Sequence, residues 1–135
     1  EGTRFAQIEI KRGIFPFGGG TYRWVERVGW GNAMRYTLTA DDLDAAEALR
    51  IGLVQAVSTK DKVLDDAIAI AERIAAQAPL GVQATLASAR LARDQGEPAA
   101  AAALIPTLLT LMQSEDATEG FQSFMERRAA SFKGK

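Results

Sequence analysis

The stretch from Phe5 to Arg23 reads FAQIEIKRGIFPFGGGTYR, and it combines a lone acid, a fixed turn and a glycine cluster. Glu9 lies between Ile8 and Ile10, at the end of a short apolar run. A carboxylate between two β-branched apolar residues is poorly solvated, and a poorly solvated carboxyl group suits proton transfer. The glycines that follow predict a loop with few side chains, which suits the close approach of a ligand.

The composition bounds the class of protein. The chain has 135 residues, of which 47% are hydrophobic, and this is enough for an ordinary core. Its net charge is −1 and its basic residues are scattered, so we expect no nucleic-acid partner. No run approaches the roughly 18 apolar residues of a membrane span, and we expect no membrane segment. We interpret the chain as cytoplasmic and, since it opens on Glu1 without an initiator Met, as starting inside a longer protein.

The absence of two residue types removes several reaction classes. The chain contains no cysteine and no histidine. A thiol nucleophile, a disulfide framework, a usual zinc site and a Ser-His-Asp triad are therefore excluded, and we predict no metal site. Acid–base chemistry supplied by this chain must come from Asp, Glu, Lys or Tyr, which predicts carboxylate catalysis if there is catalysis at all.

The pattern of turns and apolar residues divides the chain into two predicted domains, 1–57 and 58–135. The first mixes strands, a loop and helices. Its predicted elements are a strand over Phe5–Ile10, a loop over 11–20, a helix from Gly19 or Gly20 to Gly29, further helical turns around Ala33–Leu38, a helix with capping-box spacing at Asp44–Glu47 that stops at Gly52, and a strand over Leu53–Val57.

The second predicted domain is helical throughout. Apolar residues recur there at helical spacing. Pro79 separates the first helix from the second, which stops at Gly96, and Pro106 should kink the third. The last helix is predicted to open with capping-box spacing at Asp116–Glu119.

Local chemistry leaves each candidate site open. The glycine cluster fails the phosphate-loop pattern, because Gly19 stands where lysine is needed, and Arg23 occupies the third glycine position of the dinucleotide pattern. A structural turn is then the simpler interpretation. Glu9 alone could equally be an ion-paired or solvent-facing acid. Phe124 and Arg127 could clamp a purine phosphate, or they could be a core aromatic beside a solvated charge.

The spacing along almost the whole chain resembles the crotonase (enoyl-CoA hydratase/isomerase) superfamily. The resemblance begins in the stretch around Glu9, continues through the middle of the chain and resumes near its end. The matching positions are Phe5–Ile10, Gly13, Pro16, Gly19–Thr21, Arg23, Arg27–Gly29, Ala33–Met34, Leu38–Thr39, Ala45, Ala48, Gly52–Val54, Glu119–Gly120, Phe124–Arg128 and Phe132–Gly134.

This resemblance implies an α/β fold, namely the end of a crotonase-type ββα spiral core followed by a C-terminal helical domain. It also implies a lyase that acts on acyl-CoA thioesters in lipid and fatty acid metabolism and stabilises an enolate in an oxyanion hole. The resemblance further implies that the protein assembles as trimers or dimers of trimers. The resemblance implies no metal or redox cofactor, and coenzyme A enters as part of the substrate.

The resemblance also assigns roles to individual residues. Glu9 falls on the acid–base group at the substrate α-carbon. Phe124 and Arg127 fall on positions that reach the adenine and phosphate end of coenzyme A, often in a neighbouring subunit's site. The acyl-pocket loop contributes the remaining substrate-binding positions, which are Pro16, Phe17, Gly18, Gly19 and Thr21.

Three substitutions depart from the family pattern, and one part of the family's site lies outside the matched stretch. Ile8 and Ala130 stand where many relatives have proline, and Arg127 stands where many have lysine. The family's oxyanion donors and its other catalytic glutamate precede this stretch, so we expect the chain to be the C-terminal half of the enzyme.

The leading hypothesis is therefore an enoyl-CoA hydratase that performs syn addition of water to a 2-enoyl-CoA and is inactive as the isolated half. A Δ3-Δ2 enoyl-CoA isomerase and a non-catalytic CoA-binding or oligomerisation module are the alternatives.

Overall fold

The computed structural model describes residues 1–135 and divides them into two compact units. Unit 1 spans Glu1–Asp66 and unit 2 spans Ala67–Lys135. The predicted domains 1–57 and 58–135 stay a prediction.

Unit 1 mixes two very short strands with helices. Its elements are β1 (Arg4–Phe5), a 3-10 turn (Glu9–Arg12), α1 (Gly20–Thr39), β2 (Leu43–Asp44) and α2 (Ala45–Arg50). The helix α3 (Val63–Ala75) begins in unit 1 and continues into unit 2, which also contains α4 (Pro79–Gln95), α5 (Glu97–Leu111) and α6 (Glu115–Glu126).

The helix α1 begins at Gly20, as the glycine cluster predicts, and Gly29 breaks it into two helical segments, as the sequence also predicts. Gly29 adopts φ 74° and ψ 162°, which are not helical, so the two segments meet at a kink there. The side-chain amide of Asn32 donates to the carbonyl of Val28 at 2.9 Å. This bond satisfies a carbonyl next to the break, so the helical path resumes and carries Tyr36 and Thr37 into the buried interior.

A left-handed turn at Ala40 ends α1 and directs the chain into β2. Ala40 has φ 51° and is fully buried, and its N–H donates to the carbonyl of Tyr36 at 3.0 Å. Leu43 then pairs with Phe5 in an antiparallel ladder. The core of unit 1 forms around this turn from Val28, Ala33, Tyr36, Leu43, Ala48 and Ile51.

The helix α2 has the cap that its sequence predicts. The Asp44 carboxylate accepts the N–H of Glu47 at 2.8 Å, and Gly52 follows the helix with φ 80°. Glu47 does not reach back to complete the capping box. Its carboxylate instead accepts the Tyr36 hydroxyl and two hydrogen bonds from Arg50, at 2.5 and 2.7 Å.

This Tyr36–Glu47–Arg50 network shifts the ionisation of its members. Hydrogen bonds from Arg50 and then from Tyr36 lower the pKa of Glu47 to about 2. The hydrogen bond to Glu47 raises the pKa of Tyr36 above its ordinary value. Because Tyr36 lies on α1 and Glu47 on α2, the network ties the two helices together.

Unit 2 follows the predicted helix boundaries closely. Pro79 is the first residue of α4, and Gly96 (φ 86°) both ends α4 and precedes α5. The two helices pack against each other after this one-residue link. Pro106 lies inside α5, and the helix continues through it to Leu111.

The start of α6 differs from the prediction. Ser114, not Asp116, is the N-cap, and its hydroxyl accepts the N–H of Ala117 at 3.0 Å. Asp116 is buried and accepts the N–H groups of Lys133 and Gly134 at 2.6 and 2.7 Å. Asp116, which the sequence predicts at the start of the helix, therefore binds the C-terminal tail instead.

Two predicted strands are wrong. Phe5 is the only residue of the predicted strand Phe5–Ile10 that pairs with β2, together with Arg4 just before it. The chain then turns into the 3-10 conformation at Glu9. The segment Leu53–Val57 has no strand partner, because the N–H groups of Leu53 and Val54 donate to the carbonyl of Ala48 at the end of α2. In both cases backbone bonds to a neighbouring turn or helix prevail over the β propensity of the side chains.

We predict that the stabilising effect of Glu47 is lost in acid. The pKa of Glu47 is about 2 in the folded chain and 4.5 as an ordinary value, so the stabilisation is complete above pH 4.5 and disappears as the pH falls towards 2. Thermal unfolding of the wild type and of Glu47→Gln, followed by circular dichroism from pH 7 to pH 2, should show midpoints that differ at neutral pH and converge in acid.

Glu26→Gln is the matched control, because Glu26 is an exposed carboxylate on α1. Its midpoint should follow that of the wild type at every pH. A Glu47→Gln midpoint that differs from the wild type equally at pH 7 and pH 2 would contradict the network's role.

Candidate active site

Glu9 opens the 3-10 turn and is held there by backbone hydrogen bonds. The N–H of Ile14 donates to the Glu9 carbonyl at 3.3 Å, and the N–H of Gly13 donates to the Ile10 carbonyl at 3.2 Å. Gly13 closes the turn with φ 73°, a conformation that favours glycine. The acid therefore lies on a turn and not on a strand.

One oxygen of the Glu9 carboxylate differs from most buried polar atoms, which have a hydrogen-bond partner. The Oε2 atom is buried and has no hydrogen-bond partner in the chain. The flanking Ile8 and Ile10 are themselves 47% and 42% exposed. A buried carboxylate oxygen without a partner is costly to maintain, and its free lone pairs can accept or return a proton.

The glycine loop approaches the segment before Glu9 closely. A Cβ atom on Gly20 would lie 2.2 Å from Oε1 of Gln7 and 3.0 Å from Cβ of Pro16. Only glycine fits at this contact without a shift of its neighbours. Gln7 thus joins the residues just before Glu9 to the start of α1.

Gly19, like Gly20, lies where a side chain would collide with its neighbours. It adopts φ 95°, and a Cβ atom there would lie 2.8 Å from the hydroxyl of Tyr22. Arg23 adds a hydrogen bond from its guanidinium to the Gly18 carbonyl at 3.1 Å. The loop is consequently shaped by close contacts between the glycine backbone and neighbouring side chains and by one cation.

The predicted acyl-pocket residues divide by exposure. Pro16 and Gly19 are buried and shape the loop, whereas Phe17, Gly18 and Thr21 are exposed and available for contact. Phe17 is 73% exposed, which is unusual for a large aromatic side chain in a folded chain. Their role in substrate binding stays a prediction.

The other two predicted substrate contacts, Phe124 and Arg127, lie at the end of α6 in unit 2. Phe124 is 79% exposed. Arg127 adopts φ 54°, and the N–H of Arg128 donates to the Ser123 carbonyl at 3.1 Å, which completes a reversal of the helix end. A left-handed residue at such a position is ordinarily glycine, so Arg127 keeps a strained backbone.

A polar clamp holds the chain after Arg127 against α6. The Glu119 carboxylate accepts two hydrogen bonds from Arg128, at 2.6 and 2.8 Å, and the N–H of Ser131 at 2.8 Å. These bonds, that of Arg128 first, lower the pKa of Glu119 to about 2. With Asp116 they fix both ends of the tail segment 128–134.

The predicted site residues therefore form two groups. Glu9 and the loop over 16–21 share unit 1, while Phe124 and Arg127 share unit 2. Reasoning from the sequence missed three features, namely Gln7, Lys11, whose ammonium group donates to the carbonyl of Ala40, and the clamp residues. The acid-then-arginine pattern near the C-terminus was a usable signal for the clamp, whereas no local pattern marks Gln7 or Lys11. No group of three or more acidic side chains could hold a metal ion.

Comparison with known proteins defines the family. The family model for enoyl-CoA hydratase/isomerase matches residues 1–135. The chain is 33% identical over its full length to 2,3-dehydroadipyl-CoA hydratase of Escherichia coli K12, covering 53% of that protein. It is 38% identical over 98% of its length to (E)-benzylidenesuccinyl-CoA hydratase of Thauera aromatica, covering 52% of that protein.

Solved structures agree with this result. The chain is 56% identical to the crystal structure of a probable enoyl-CoA hydratase/isomerase from Mycobacterium abscessus, with a TM-score of 0.88 over 98% of this chain and 51% of the other. The chain therefore belongs to the enoyl-CoA hydratase/isomerase family, and the predicted crotonase-type α/β fold with a helical C-terminal part is confirmed.

The chain spans about half the length of the curated relatives it matches. None of its helices is at once long enough and apolar enough to cross a membrane.

We predict that Gly19→Ala destabilises the loop while Gly18→Ala does not. The substitution at Gly19 forces alanine into φ 95° and against the Tyr22 ring, and such strain costs roughly 1 to 3 kcal/mol. Gly18 has no heavy atom within 4 Å of its added Cβ. Chemical denaturation of both variants measures the difference, and equal stabilities would contradict the proposed loop geometry.

We also predict that Arg127→Gly is more stable than Arg127→Ala by about 1 kcal/mol, because glycine adopts the left-handed conformation without the Cβ penalty. Both variants lack the guanidinium group, so their difference reports the backbone alone. Chemical denaturation provides the measurement. An alanine variant as stable as the glycine variant would show that position 127 is not strained.

Proposed function

We propose that this chain forms the Glu9-bearing half of an enoyl-CoA hydratase, which adds water across the 2,3 double bond of a 2-enoyl-CoA thioester. The observation that carries the proposal is the buried Oε2 atom of Glu9, which has no hydrogen-bond partner in the chain. The hydratases among its relatives support the same reaction class.

Glu9 acts as the acid–base group at the α-carbon. The oxygen of water bonds to carbon 3 of the substrate, and the electron pair of the double bond moves towards the thioester carbonyl as an enolate. Protonated Glu9 then gives its proton to carbon 2 on the same face, and the water proton goes to the second carboxylate of the site. A carboxyl oxygen that is buried and has no hydrogen-bond partner in the chain is available for that transfer.

The resemblance to the family assigns the enolate-stabilising N–H groups and the second glutamate to residues outside this chain. The chain alone therefore holds one catalytic group and should give no measurable hydration. The proposal requires no metal or redox cofactor, and coenzyme A takes part as the carrier of the acyl group.

Phe124 and Arg127 are proposed to contact the nucleotide end of coenzyme A, in the site of a neighbouring subunit. An exposed aromatic ring can stack on adenine, and a guanidinium can bind phosphate with two parallel hydrogen bonds. The strained backbone at Arg127 supports this role. Glycine would form the same turn at lower cost, so the side chain itself is the feature that the position provides.

Several large apolar side chains of the helices are exposed, which supports the proposal that other protein chains cover them. They include Leu64 and Ile68 of α3, Leu108 and Leu109 of α5, and Phe121 of α6. Surfaces of this kind are ordinarily covered by protein. We propose that the other half of the enzyme and further copies of this chain, as a homotrimer or dimer of trimers, cover them.

An isomerase and a non-catalytic module are the two alternatives to the proposed hydratase. A Δ3-Δ2 enoyl-CoA isomerase moves one proton between two carbons, and the single acid Glu9 is sufficient for that transfer. A non-catalytic CoA-binding or oligomerisation module would use only the exposed helices. Because the module needs no acid, a Glu9 variant separates it from both enzymes.

We predict that Glu9→Gln in the complete protein lowers kcat for crotonyl-CoA hydration by at least about 10³-fold, because glutamine cannot transfer the proton. The measurement is the loss of absorbance of the conjugated thioester. Glu26→Gln is the control, since it removes an exposed carboxylate from the same unit and should leave kcat unchanged.

Unchanged turnover in Glu9→Gln would refute the catalytic assignment. Wild-type conversion of a 3-enoyl-CoA without hydration of crotonyl-CoA would favour the isomerase. Turnover of neither substrate, together with CoA binding or self-association in light scattering, would favour the module.

Arg127→Gly and Arg127→Ala should raise the KM for crotonyl-CoA equally, whereas a rise in only one would contradict a contact made by the side chain.

A further inference from the structure

The 3-10 turn that carries Glu9 is weakly anchored by packing. None of its residues Glu9–Arg12 is buried, and no side chain caps the turn. One of its side chains nevertheless reaches a distant element. The ammonium group of Lys11 donates to the carbonyl of Ala40 at 2.6 Å, across 29 residues of sequence.

The acceptor at Ala40 is well suited to a cation. It lies at the C-terminal end of α1, where carbonyl groups lack helical partners and the helix dipole is negative. Lysine is favoured at such an end because its ammonium group satisfies the free carbonyl and the dipole together.

The acceptor is also rigid. Ala40 is fully buried, and its own N–H is bonded to the Tyr36 carbonyl. Tyr36 is 3% exposed and donates its hydroxyl to Glu47 on α2. Lys11 is thus connected to a part of unit 1 that is fixed by both packing and hydrogen bonds.

The geometry of the turn transmits this anchor to Glu9. Lys11 follows Glu9 by two residues, and its own N–H donates to the Ile8 carbonyl at 3.1 Å. The Glu9 carbonyl in turn accepts the N–H of Ile14 at 3.3 Å. Because these bonds close the turn within a few residues, an anchor on the Lys11 side chain restrains the backbone of Glu9.

We propose that Lys11 is a positioning residue for Glu9, acting through its hydrogen bond to Ala40. The proposal rests on the proposed function, because it supposes that Glu9 transfers the proton. Lys11 itself neither touches the substrate nor gives or takes a proton. Loss of its anchor lets the turn move, and a displacement of about 1 Å at an acid–base group can reduce the rate of the chemical step by up to about 100-fold.

The experiment compares three variants of the complete protein. Lys11→Met keeps a long side chain and removes the donor, Lys11→Arg keeps a donor, and Arg12→Met removes a cation from the same turn without touching Ala40. Crotonyl-CoA kinetics should show that Lys11→Met lowers kcat at least about tenfold with KM within about twofold of wild type. Lys11→Arg should recover most of kcat, and Arg12→Met should match the wild type.

Amide hydrogen exchange gives a readout independent of activity. In Lys11→Met the amides of Gly13 and Ile14, which close the Glu9 turn, should exchange about tenfold faster. The amides of Leu53 and Val54, which bond to Ala48 in the same unit, should keep their wild-type rates. A merely structural lysine would accelerate all four amides together.

Three results would overturn the proposal. These are a Lys11→Met variant with the kcat of Arg12→Met, faster exchange at Gly13 and Ile14 with no loss of kcat, and equal acceleration at all four amides. A failure of the proposed function is recognised separately, because the wild type itself would then not hydrate crotonyl-CoA, while the exchange rates would still report whether Lys11 holds the turn.

Discussion

The buried left-handed turn at Ala40 is the constraint on which unit 1 depends. It ends α1, places Leu43 opposite Phe5, and presents its carbonyl to Lys11. Alanine in this conformation is unfavourable by roughly 1 kcal/mol, so the surrounding bonds must hold it. Tyr36, one turn earlier on α1, supplies part of that support through its contact with α2. The core, the small sheet and the turn bearing the candidate acid therefore meet at one point of the backbone.

Local strain in this chain coincides with the residues to which function is proposed. Glu9 keeps an unpartnered buried oxygen, Gly19 lies at a positive φ against Tyr22, and Arg127 adopts a conformation that suits glycine. Each of these features costs stability and would be avoided by a chain selected for stability alone. Rigid neighbours make these costs tolerable. In unit 2 that support comes from the clamp that fixes the tail beyond Arg127.

Elements with short-range signals could be predicted from the sequence, and elements that depend on distant contacts could not. The Asp44 cap and the start of α1 at Gly20 follow from local backbone chemistry, and the structure has both. The predicted strand Phe5–Ile10 pairs only at Phe5, because the chain turns into the 3-10 conformation at Glu9. The identity of Glu9 as a candidate acid followed from the family pattern. Its anchor did not, since the bond between Lys11 and Ala40 joins residues that no local pattern connects.

The central claim is that the free Glu9 oxygen faces the α-carbon of an acyl-CoA substrate. A crystal structure of the complete protein with a bound, unreactive acyl-CoA tests it most directly. We expect the Oε2 atom of Glu9 to lie about 3 to 3.5 Å from the α-carbon, with the glycine loop along the acyl chain. A structure in which this oxygen is paired with a protein group and turned away from the acyl chain would contradict the account.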